Sequence, residues 1–293
     1  FNSSGVMLDY AGGHIDNLTA HKLLKNITCH VPSGFELVPG FQYRHLLIQK
    51  NGTKSPEANW SITPPHDLIA QELGPDLAIF EQNKELIKFL KTSAHLLQAT
   101  HPPCQANALW PWGQGPPLTL PKFSDLFGWQ GAVVSAVDLI KGLGRAAGMQ
   151  VLDVPLANGR LDTDYQGKVE AALNFLKNAD FVFIHIEAPD EASHNSDLSQ
   201  KIEAISRFDA RIVGPVLKGL KNQPVAYLIT CDHLTPISIG NHTSDPVPFL
   251  LALPGHAQPE KNISFNEARA KESGLFIQTG PRLLHWVREQ LQN

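Results

Sequence analysis

Apolar runs of strand length alternate with longer, periodically apolar segments from residue 129 to the end of the chain. The runs predict strands at 131–137, 149–154, 181–186, 225–230 and 247–253, and the segments between and after them predict helices at 138–147, 162–177, 198–220 and 282–291. Strands that are apolar on both faces and separated by helices are typical of a mostly parallel sheet. We therefore expect an α/β fold in which helices cover both faces of that sheet.

The first hundred residues carry a more mixed pattern. Helices are predicted at 18–24 and 80–97, and a strand at 44–49 is followed by a turn signal, Asn51-Gly52. Residues 100–122 are rich in proline and glycine, as expected of a linker. The sequence therefore predicts a smaller α+β insert domain at 1–105 and the larger α/β domain at 106–293.

The composition narrows the classes of partner. At 293 residues and 42% hydrophobic, the chain can bury a sizeable core. Its formal net charge is -4 and it has no basic run, so we expect no nucleic-acid partner. Its apolar stretches are too short to cross a bilayer, so we expect no membrane partner. The 3 cysteines are widely spaced and form no C-x-x-C pair, which favours reduced thiols in a cytoplasmic protein.

Side chains of the metal-ligand type follow two of the predicted strands. Asp190 and His194 come after the third strand and are four residues apart, so one helical turn would place both on the same face. Asp232 and His233 follow the fourth strand after Cys231, and His242 comes shortly after them. Because ligands of open parallel sheets bind beyond the carboxyl ends of the strands, we expect these five side chains to meet.

The donor set indicates the class of metal. Carboxylate oxygens together with imidazole nitrogens suit Zn²⁺ or Mn²⁺ better than Ca²⁺. Asp232 and His233 are adjacent and so point in different directions, which favours two ions that clamp a phosphoryl group between them. Taken singly, each pattern has an ordinary explanation: a surface pair on a helix, a turn after a strand, or a loop histidine. The whole set at the strand ends of one sheet is what points to a metal site.

Longer motifs around these residues resemble one known family. The segment 184–194, Ile-His-Ile-Glu-Ala-Pro-Asp-Glu-Ala-Ser-His, is similar to a signature of the archaeal-type cofactor-independent phosphoglycerate mutases, in the alkaline phosphatase superfamily. Further matches lie at 64–67, 107–115, 136–142, 232–236 and 242–248. They follow the family's order and extend over nearly the whole chain. The resemblance therefore implies an alkaline phosphatase-like fold whose main domain binds metal.

The resemblance also implies an activity, the interconversion of 3-phosphoglycerate and 2-phosphoglycerate in glycolysis and gluconeogenesis through a phosphoserine intermediate. It implies two divalent metal ions, Mn²⁺ or Zn²⁺ with Mg²⁺ or Co²⁺ as further candidates, and no organic cofactor. One ion would be held by Asp190, His194 and His242. Part of the other site would come from Asp232 and His233.

Candidate substrate residues follow from the same resemblance. Lys141 is the candidate for the substrate phosphate, and its ordinary alternative is a solvated helix lysine. The first hundred residues resemble the family's substrate-recognition insert, where the candidates are Arg44, His14, His45, His66 and Asp67. Arg44 is favoured over the histidines, because a guanidinium matches a planar carboxylate or phosphate through two hydrogen bonds.

One part of the family pattern finds no match in these residues. The family's N-terminal βα unit supplies an Asp ligand and the nucleophilic serine, whereas Ser135 and Ser193 lack the nucleophile's context. We therefore expect little or no mutase activity from this chain by itself. Its partners would be phosphoglycerate and either a second copy of the chain or the N-terminal segment. The alternatives are a non-catalytic metal-binding homologue and a phosphatase or other phosphomutase of the same superfamily.

Overall fold

The computed structural model describes residues 1–13, 15–100, 105–255 and 264–292. The chain forms two compact units, Phe1–Leu118 and Thr119–Asn293. The observed boundary lies later than the predicted one after residue 105, because Ala106, Leu109 and Trp110 pack on the hydrophobic core of the first unit. The candidate metal ligands all belong to the second unit.

The first unit is a small α+β structure. Its elements are α1 (Asn17–Thr28), β1 (Phe35–Val38), β2 (Leu46–Gln49), α2 (Gly74–Phe80) and α3 (Lys84–Gln98), with 3₁₀ turns at Gly52–Lys54 and Pro56–Asn59. The strands β1 and β2 pair antiparallel, with Phe35 opposite Gln49 and Val38 opposite Leu46. The sequence predicted β2 but not β1.

Helical spacing of apolar residues explains how α1 and α3 pack. Their buried positions share one core cluster: Ala20, Leu23, Leu24 and Ile27 from α1, and Leu86, Phe89, Leu90 and Leu97 from α3. Asn83 caps α3, because its side chain accepts the backbone N–H of Leu86 at 3.0 Å. This cap divides the single helix predicted at 80–97, since α2 already ends at Phe80.

The second unit is an α/β structure. Its elements are α4 (Phe123–Phe127), β3 (Gly131–Val134), α5 (Asp138–Ala146), β4 (Gln150–Val151), α6 (Tyr165–Phe175), β5 (Phe181–Ile184), α7 (Ala188–His194), α8 (Leu198–Phe208), a π-helix (Asp209–Val213), α9 (Gly214–Gly219), β6 (Tyr227–Thr230), β7 (Phe249–Ala252), α10 (Glu267–Glu272) and α11 (Gly280–Gln292). Three strands form a parallel sheet in the order β4-β3-β5. The predicted α/β class is confirmed.

Helices lie against both faces of the parallel sheet. On one face, Gly144 of α5 approaches Val133 so closely that a Cβ at the glycine would lie 2.8 Å from the valine. On the other face, Val169 of α6 packs with Ile184. Val133 pairs with Phe183, the neighbour of Ile184, and successive side chains of a strand alternate between faces. The two helices therefore cover opposite faces.

The strands β6 and β7 pair with each other antiparallel, where the sequence predicted further parallel strands. Tyr227 lies opposite Ala252, and Thr230 lies opposite Phe249. A parallel return needs a crossover connection, usually a helix, and the described segment 231–248 contains none. The chain therefore returns directly beside β6.

The long helix predicted at 198–220 is interrupted by the π-helix Asp209–Val213. Pro215 lies in the first turn of α9, and a proline there has no N–H and crowds the carbonyl of the preceding turn. The wider π turn relieves this, since the N–H of Gly214 bonds to the carbonyl of Asp209. None of the helices described, this interrupted one included, has the length and apolarity to span a bilayer.

The helix α6 begins at Tyr165 and is capped by Asp164, whose carboxylate accepts a backbone N–H of the first turn at 2.8 Å. The helix predicted at 162–177 therefore begins later than its predicted start, and neither Asp162 nor Thr163 caps it. Both side chains are used by the preceding loop. Asp162 accepts the side-chain amide of Asn158, and Thr163 accepts the backbone N–H of the same residue.

Candidate metal centre

The helix α7 carries the first two candidate ligands. It begins shortly after β5 with Pro189 in its first turn, where the missing N–H would have had no helical partner. Asp190 and His194 lie one turn apart, as the spacing predicted. Nε2 of His194 is 3.2 Å from Oδ2 of Asp190.

The other three candidates follow β6. Nε2 of His233 lies 3.3 Å from Oδ2 of Asp232. An isolated antiparallel bridge then joins Leu234 to Thr243, whose N–H donates to the Leu234 carbonyl at 3.0 Å. This bridge folds the loop back and stacks His242 on His233, with ring centroids 3.7 Å apart.

The two groups of side chains meet. Nε2 of His242 lies 3.0 Å from Nε2 of His194 and 3.6 Å from Oδ1 of Asp190. One ligand atom from each of Asp190, His233 and His242 lies within 4.8 Å of the others. The sequence grouped His194 with Asp190 and His242, and the structure adds His233 to that group. We call the set Asp190, His194, Asp232, His233 and His242 the ligand cluster.

Hydrogen bonds at Nδ1 orient two of these imidazoles. Nδ1 of His194 lies 3.0 Å from the carbonyl of Gly240, and a carbonyl only accepts, so this nitrogen carries the proton. Nδ1 of His233 lies 3.2 Å from Oγ1 of Thr235, which in turn lies 2.5 Å from Oδ1 of Asp190. Each ring is thus held at Nδ1 and directs Nε2 to its neighbours in the cluster.

The donors of the cluster fit a divalent cation. With Nδ1 protonated, a neutral His194 directs a lone pair at the Asp190 carboxylate 3.2 Å away, and two acceptors approach so closely only with a proton or a cation between them. Imidazole nitrogen and carboxylate oxygen are ligands of Zn²⁺ and Mn²⁺. The side chains of Asp190, His194 and His242 are 30%, 36% and 48% exposed, so an ion can reach them from solvent.

A buried lysine and a second hydroxyl–imidazole pair lie at the ends of β3 and β5. Lys168 of α6 is 1% exposed, and its Nζ donates to the carbonyl of His185 at 3.2 Å. Burial lowers the pKa of Lys168 to about 8; the Glu187 carboxylate opposes this shift, and the Lys141 ammonium adds to it. Nδ1 of His185 lies 3.2 Å from Oγ of Ser135, and burial lowers the pKa of that imidazole.

Lys141, the candidate for the substrate phosphate, lies on α5. Its Nζ is 3.5 Å from Oδ1 of Asp153, and its side chain is 22% exposed. Among the described residues, Lys141 forms this ion pair with Asp153 and no ion pair with the ligand cluster. Its charge acts on Lys168, so two cations lie in the same region of the unit.

The two serines that flank the motifs are interior residues. Ser135 is 2% exposed and Ser193 is fully buried. Oγ of Ser193 donates to the carbonyl of Pro189 at 2.7 Å, and Oγ of Ser135 accepts the N–H of Val137 at 3.0 Å. These bonds engage both hydroxyls within the fold.

Two of the substrate candidates in the first unit lie on a series of aromatic rings. Cζ of Arg44 is 4.3 Å from the centroid of Tyr43. Tyr43 meets Tyr10 edge-on at 5.7 Å, and Tyr10 meets His66 at 6.2 Å. Trp112 continues the series beyond His66 at 5.5 Å. The structure therefore connects Arg44 and His66 through two tyrosines.

The remaining substrate candidates have different surroundings. Oδ1 of Asp67 lies 3.8 Å from Nε2 of His66. Nδ1 of His45 accepts the N–H of Gly40 at 3.1 Å, and burial lowers the pKa of this histidine, so it contributes to the loop's own structure. His14 lies outside the described residues.

Three residues beside the cluster were not singled out as functional from the sequence: Thr235, His185 and Lys168. Thr235 and His185 lie within the longer motifs at 232–236 and 184–194, but nothing in those motifs assigned a function to either residue. Lys168 did leave a signal, because it falls on the buried stripe of α6 with Tyr165, Val169 and Ala172 at helical spacing. A lysine on such a stripe is either extended to the surface or buried with partners.

Comparisons with known proteins agree on one family. A sequence profile of the Metalloenzyme superfamily matches residues 12–286. The chain is 40% identical over 291 residues to the 2,3-bisphosphoglycerate-independent phosphoglycerate mutase of Methanothrix thermoacetophila, which covers 96% of this chain and 72% of the relative. It is 37% identical over 297 residues to a probable enzyme of the same name from Geobacter sulfurreducens, which covers 97% of this chain and 73% of the relative.

Two solved structures are similar in fold. The PH0037 protein from Pyrococcus horikoshii matches with a TM-score of 0.68 at 25% identity, over 92% of this chain and 67% of that one. The cofactor-independent phosphoglycerate mutase from Thermoplasma acidophilum matches with a TM-score of 0.55 at 20% identity, over 100% of this chain and 75% of that one. At that identity the second match bears on the fold alone.

Proposed function

The chain belongs to the 2,3-bisphosphoglycerate-independent phosphoglycerate mutase family of the Metalloenzyme superfamily, and from this we propose that its ligand cluster serves the metal-dependent interconversion of 3-phosphoglycerate and 2-phosphoglycerate. The observation that carries the proposal is the convergence of three imidazoles and two carboxylates beyond the ends of β5 and β6. The alkaline phosphatase-like α/β fold, expected from the sequence, belongs to the same family.

Two divalent ions are proposed. Asp190, His194 and His242 would hold one, with His233 close enough to join them, and Asp232 with His233 would contribute to the other. When bound, such ions neutralise phosphate oxygens and lower the pKa of an attacking hydroxyl. The nitrogen and oxygen donors favour Mn²⁺ or Zn²⁺, with Mg²⁺ or Co²⁺ as further candidates. No organic cofactor is proposed.

The phosphoryl group would pass through a serine. The serine oxygen attacks phosphorus, the bond from phosphorus to the glycerate oxygen breaks, and that oxygen receives the serine proton; the reverse sequence at the other hydroxyl completes the isomerisation. Ser135 and Ser193 are buried and hydrogen-bonded to the fold. We therefore propose that the serine is supplied from outside these 293 residues and that the chain alone turns over little.

One charged residue of each unit is proposed as a substrate contact. Lys141 is proposed for the phosphate, since its side chain is 22% exposed and its ammonium lies close enough to Lys168 to lower the pKa of that lysine. Arg44 is proposed for the carboxylate, because its guanidinium lies exposed over the Tyr43 ring and can form paired hydrogen bonds. The proposed setting is glycolysis and gluconeogenesis in the cytoplasm, and the proposed protein partner is a second copy or the family's N-terminal segment.

Metal analysis tests the cluster. The chain is stripped with a chelator, reloaded with Mn²⁺ or Zn²⁺ at neutral pH, desalted and measured for bound metal. We expect about one tightly bound ion per chain, because one set of protein ligands is complete. His194→Ala should lose that ion, whereas His95→Ala, an exposed histidine on α3, should keep it. Absence of stoichiometric metal in the unchanged chain would contradict the metal centre.

An activity assay tests the reaction. Loaded chain is mixed with 3-phosphoglycerate, and ³¹P resonances distinguish 2-phosphoglycerate from inorganic phosphate. We expect little turnover by the chain alone, and isomerisation by a fusion that carries the N-terminal βα unit of the Methanothrix relative. Fast isomerisation by the chain alone would overturn the proposal that the serine lies elsewhere. Release of inorganic phosphate by the fusion would replace the mutase proposal with a phosphatase.

A further inference from the structure

Thr235 bridges two members of the ligand cluster that come from different elements. The residue is 6% exposed and lies two positions after His233. Oγ1 is 2.5 Å from Oδ1 of Asp190 on α7 and 3.2 Å from Nδ1 of His233, which follows β6. A single hydroxyl therefore contacts one carboxylate and one imidazole of the cluster.

The number of protons decides the direction of both bonds. A threonine hydroxyl has one proton, and an ionised carboxylate can only accept, so Oγ1 donates to Asp190. Toward His233 the same oxygen can then only accept, so Nδ1 of His233 must be the donor. A neutral imidazole with its proton on Nδ1 has its lone pair on Nε2, and that is the nitrogen free to bind a metal.

The backbone around Thr235 is fixed independently of its hydroxyl. Nζ of Lys201 on α8 donates to the Thr235 carbonyl at 2.7 Å. The bridge between Leu234 and Thr243 holds the preceding residue. The hydroxyl is therefore presented from a position that neither Asp190 nor His233 has to create.

We propose that Thr235 is a positioning residue for the metal centre, which holds His233 in its Nδ1–H tautomer and one carboxylate oxygen of Asp190 in place. The inference rests on the metal-dependent function proposed above. Without the hydroxyl, the His233 proton can move to Nε2, where Oδ2 of Asp232 lies 3.3 Å away as an acceptor. That proton would occupy the position of a metal ion. Thr235 thus determines whether His233 presents a lone pair or a proton.

The test compares three variants of the full chain. Thr235→Val removes the hydroxyl at nearly constant volume, and Thr235→Ser keeps it. Thr163→Val is the matched control, because Thr163 is 5% exposed and its hydroxyl accepts a backbone N–H outside the cluster. Long-range ¹H–¹⁵N correlation of histidine-labelled, metal-free protein reports which nitrogen of His233 carries the proton. A Mn²⁺ or Zn²⁺ titration reports the affinity.

We expect the unchanged chain and Thr235→Ser to show His233 protonated on Nδ1, and Thr235→Val to shift the proton toward Nε2. Thr235→Val should weaken metal binding about ten- to a hundredfold, the range for loss of an outer partner of a ligand. Thr163→Val should leave both readouts unchanged even though it also loses a buried hydrogen bond.

Two results separate the inference from the proposed function. If the unchanged chain binds metal and Thr235→Val binds it equally with the same His233 tautomer, the positioning role is wrong and the metal centre stands. If the unchanged chain binds no metal, the metal centre is wrong, and the inference fails with it. A Thr235→Val chain that does not fold leaves Thr235→Ser, which must then retain both the tautomer and the affinity.

Discussion

Two hydroxyl–imidazole pairs in the second unit have the same separation but different hydrogen-bond surroundings. Oγ of Ser135 and Nδ1 of His185 lie 3.2 Å apart, as do Oγ1 of Thr235 and Nδ1 of His233. Both pairs lie beyond the carboxyl ends of strands. They differ in the third group that each hydroxyl contacts, which is a backbone N–H in the first pair and a carboxylate in the second.

The third group determines whether the hydroxyl fixes the position of the imidazole proton. Ser135 accepts the N–H of Val137 through one lone pair of Oγ, and toward Nδ1 of His185 it can then either donate its proton or accept through its second lone pair. Burial lowers the pKa of that imidazole. The serine therefore leaves both neutral tautomers of His185 open. Thr235 gives its proton to Asp190 and leaves His233 with a lone pair on Nε2. The comparison shows that a hydroxyl–imidazole distance alone does not identify a metal ligand.

The largest expected effect comes from exchanging the imidazoles themselves. His233→Gln should weaken metal binding by more than the roughly hundredfold that loss of an outer partner costs, because it removes a proposed ligand. His185→Gln should weaken it by at most about tenfold, since His185 is not among the proposed ligands. Competition with a fluorescent chelator measures both constants. Equal losses in the two variants would show that His185 is also a ligand and would abolish the distinction between the pairs.

A smaller effect is expected from the serine of the first pair. Ser135→Ala should lower the free energy of unfolding by about 1 kcal/mol, because a buried hydrogen bond is lost, and should leave metal affinity unchanged. Urea unfolding of metal-free protein measures the first quantity, and metal titration measures the second. A tenfold fall in affinity would mean that His185 acts on the metal through its tautomer, as His233 is proposed to do.

The smallest effect concerns Lys168, which bonds to the backbone of His185. Its folded pKa of about 8 lies below the unfolded value of 10.5, so between these values the unfolded chain binds more protons and stability rises with pH. From pH 7 to pH 8.5 this contributes about 0.8 kcal/mol. Below pH 7 Lys168 is protonated in both the folded and the unfolded chain, so its contribution to stability no longer changes with pH.

The measurement is the difference in unfolding free energy between the unchanged chain and Lys168→Met at each pH. Other titrating groups are common to both proteins and cancel in this difference. The unchanged chain should gain stability relative to the variant as pH rises from 7 to 8.5. A difference independent of pH would show that the buried ammonium keeps its ordinary pKa.

Local patterns in the sequence were reliable where the structure depends on neighbouring residues. The spacing of Asp190 and His194 predicted one helical face, and α7 confirms it. The helix ends were less predictable. The sequence could not show that Asn158 engages Asp162 and Thr163 and leaves Asp164 as the cap of α6.

The sequence by itself determined the residue types of the centre, the strands they follow and the family to which the chain belongs. Helical and strand periods depend on residues a few positions apart, and the family's motifs are continuous. The tertiary structure decided the antiparallel pairing of β6 with β7, the burial of Lys168 and the position of the Thr235 hydroxyl between Asp190 and His233. These features depend on groups far apart in the chain. Proton positions in particular depend on which hydrogen-bond acceptors the fold brings within reach of each donor.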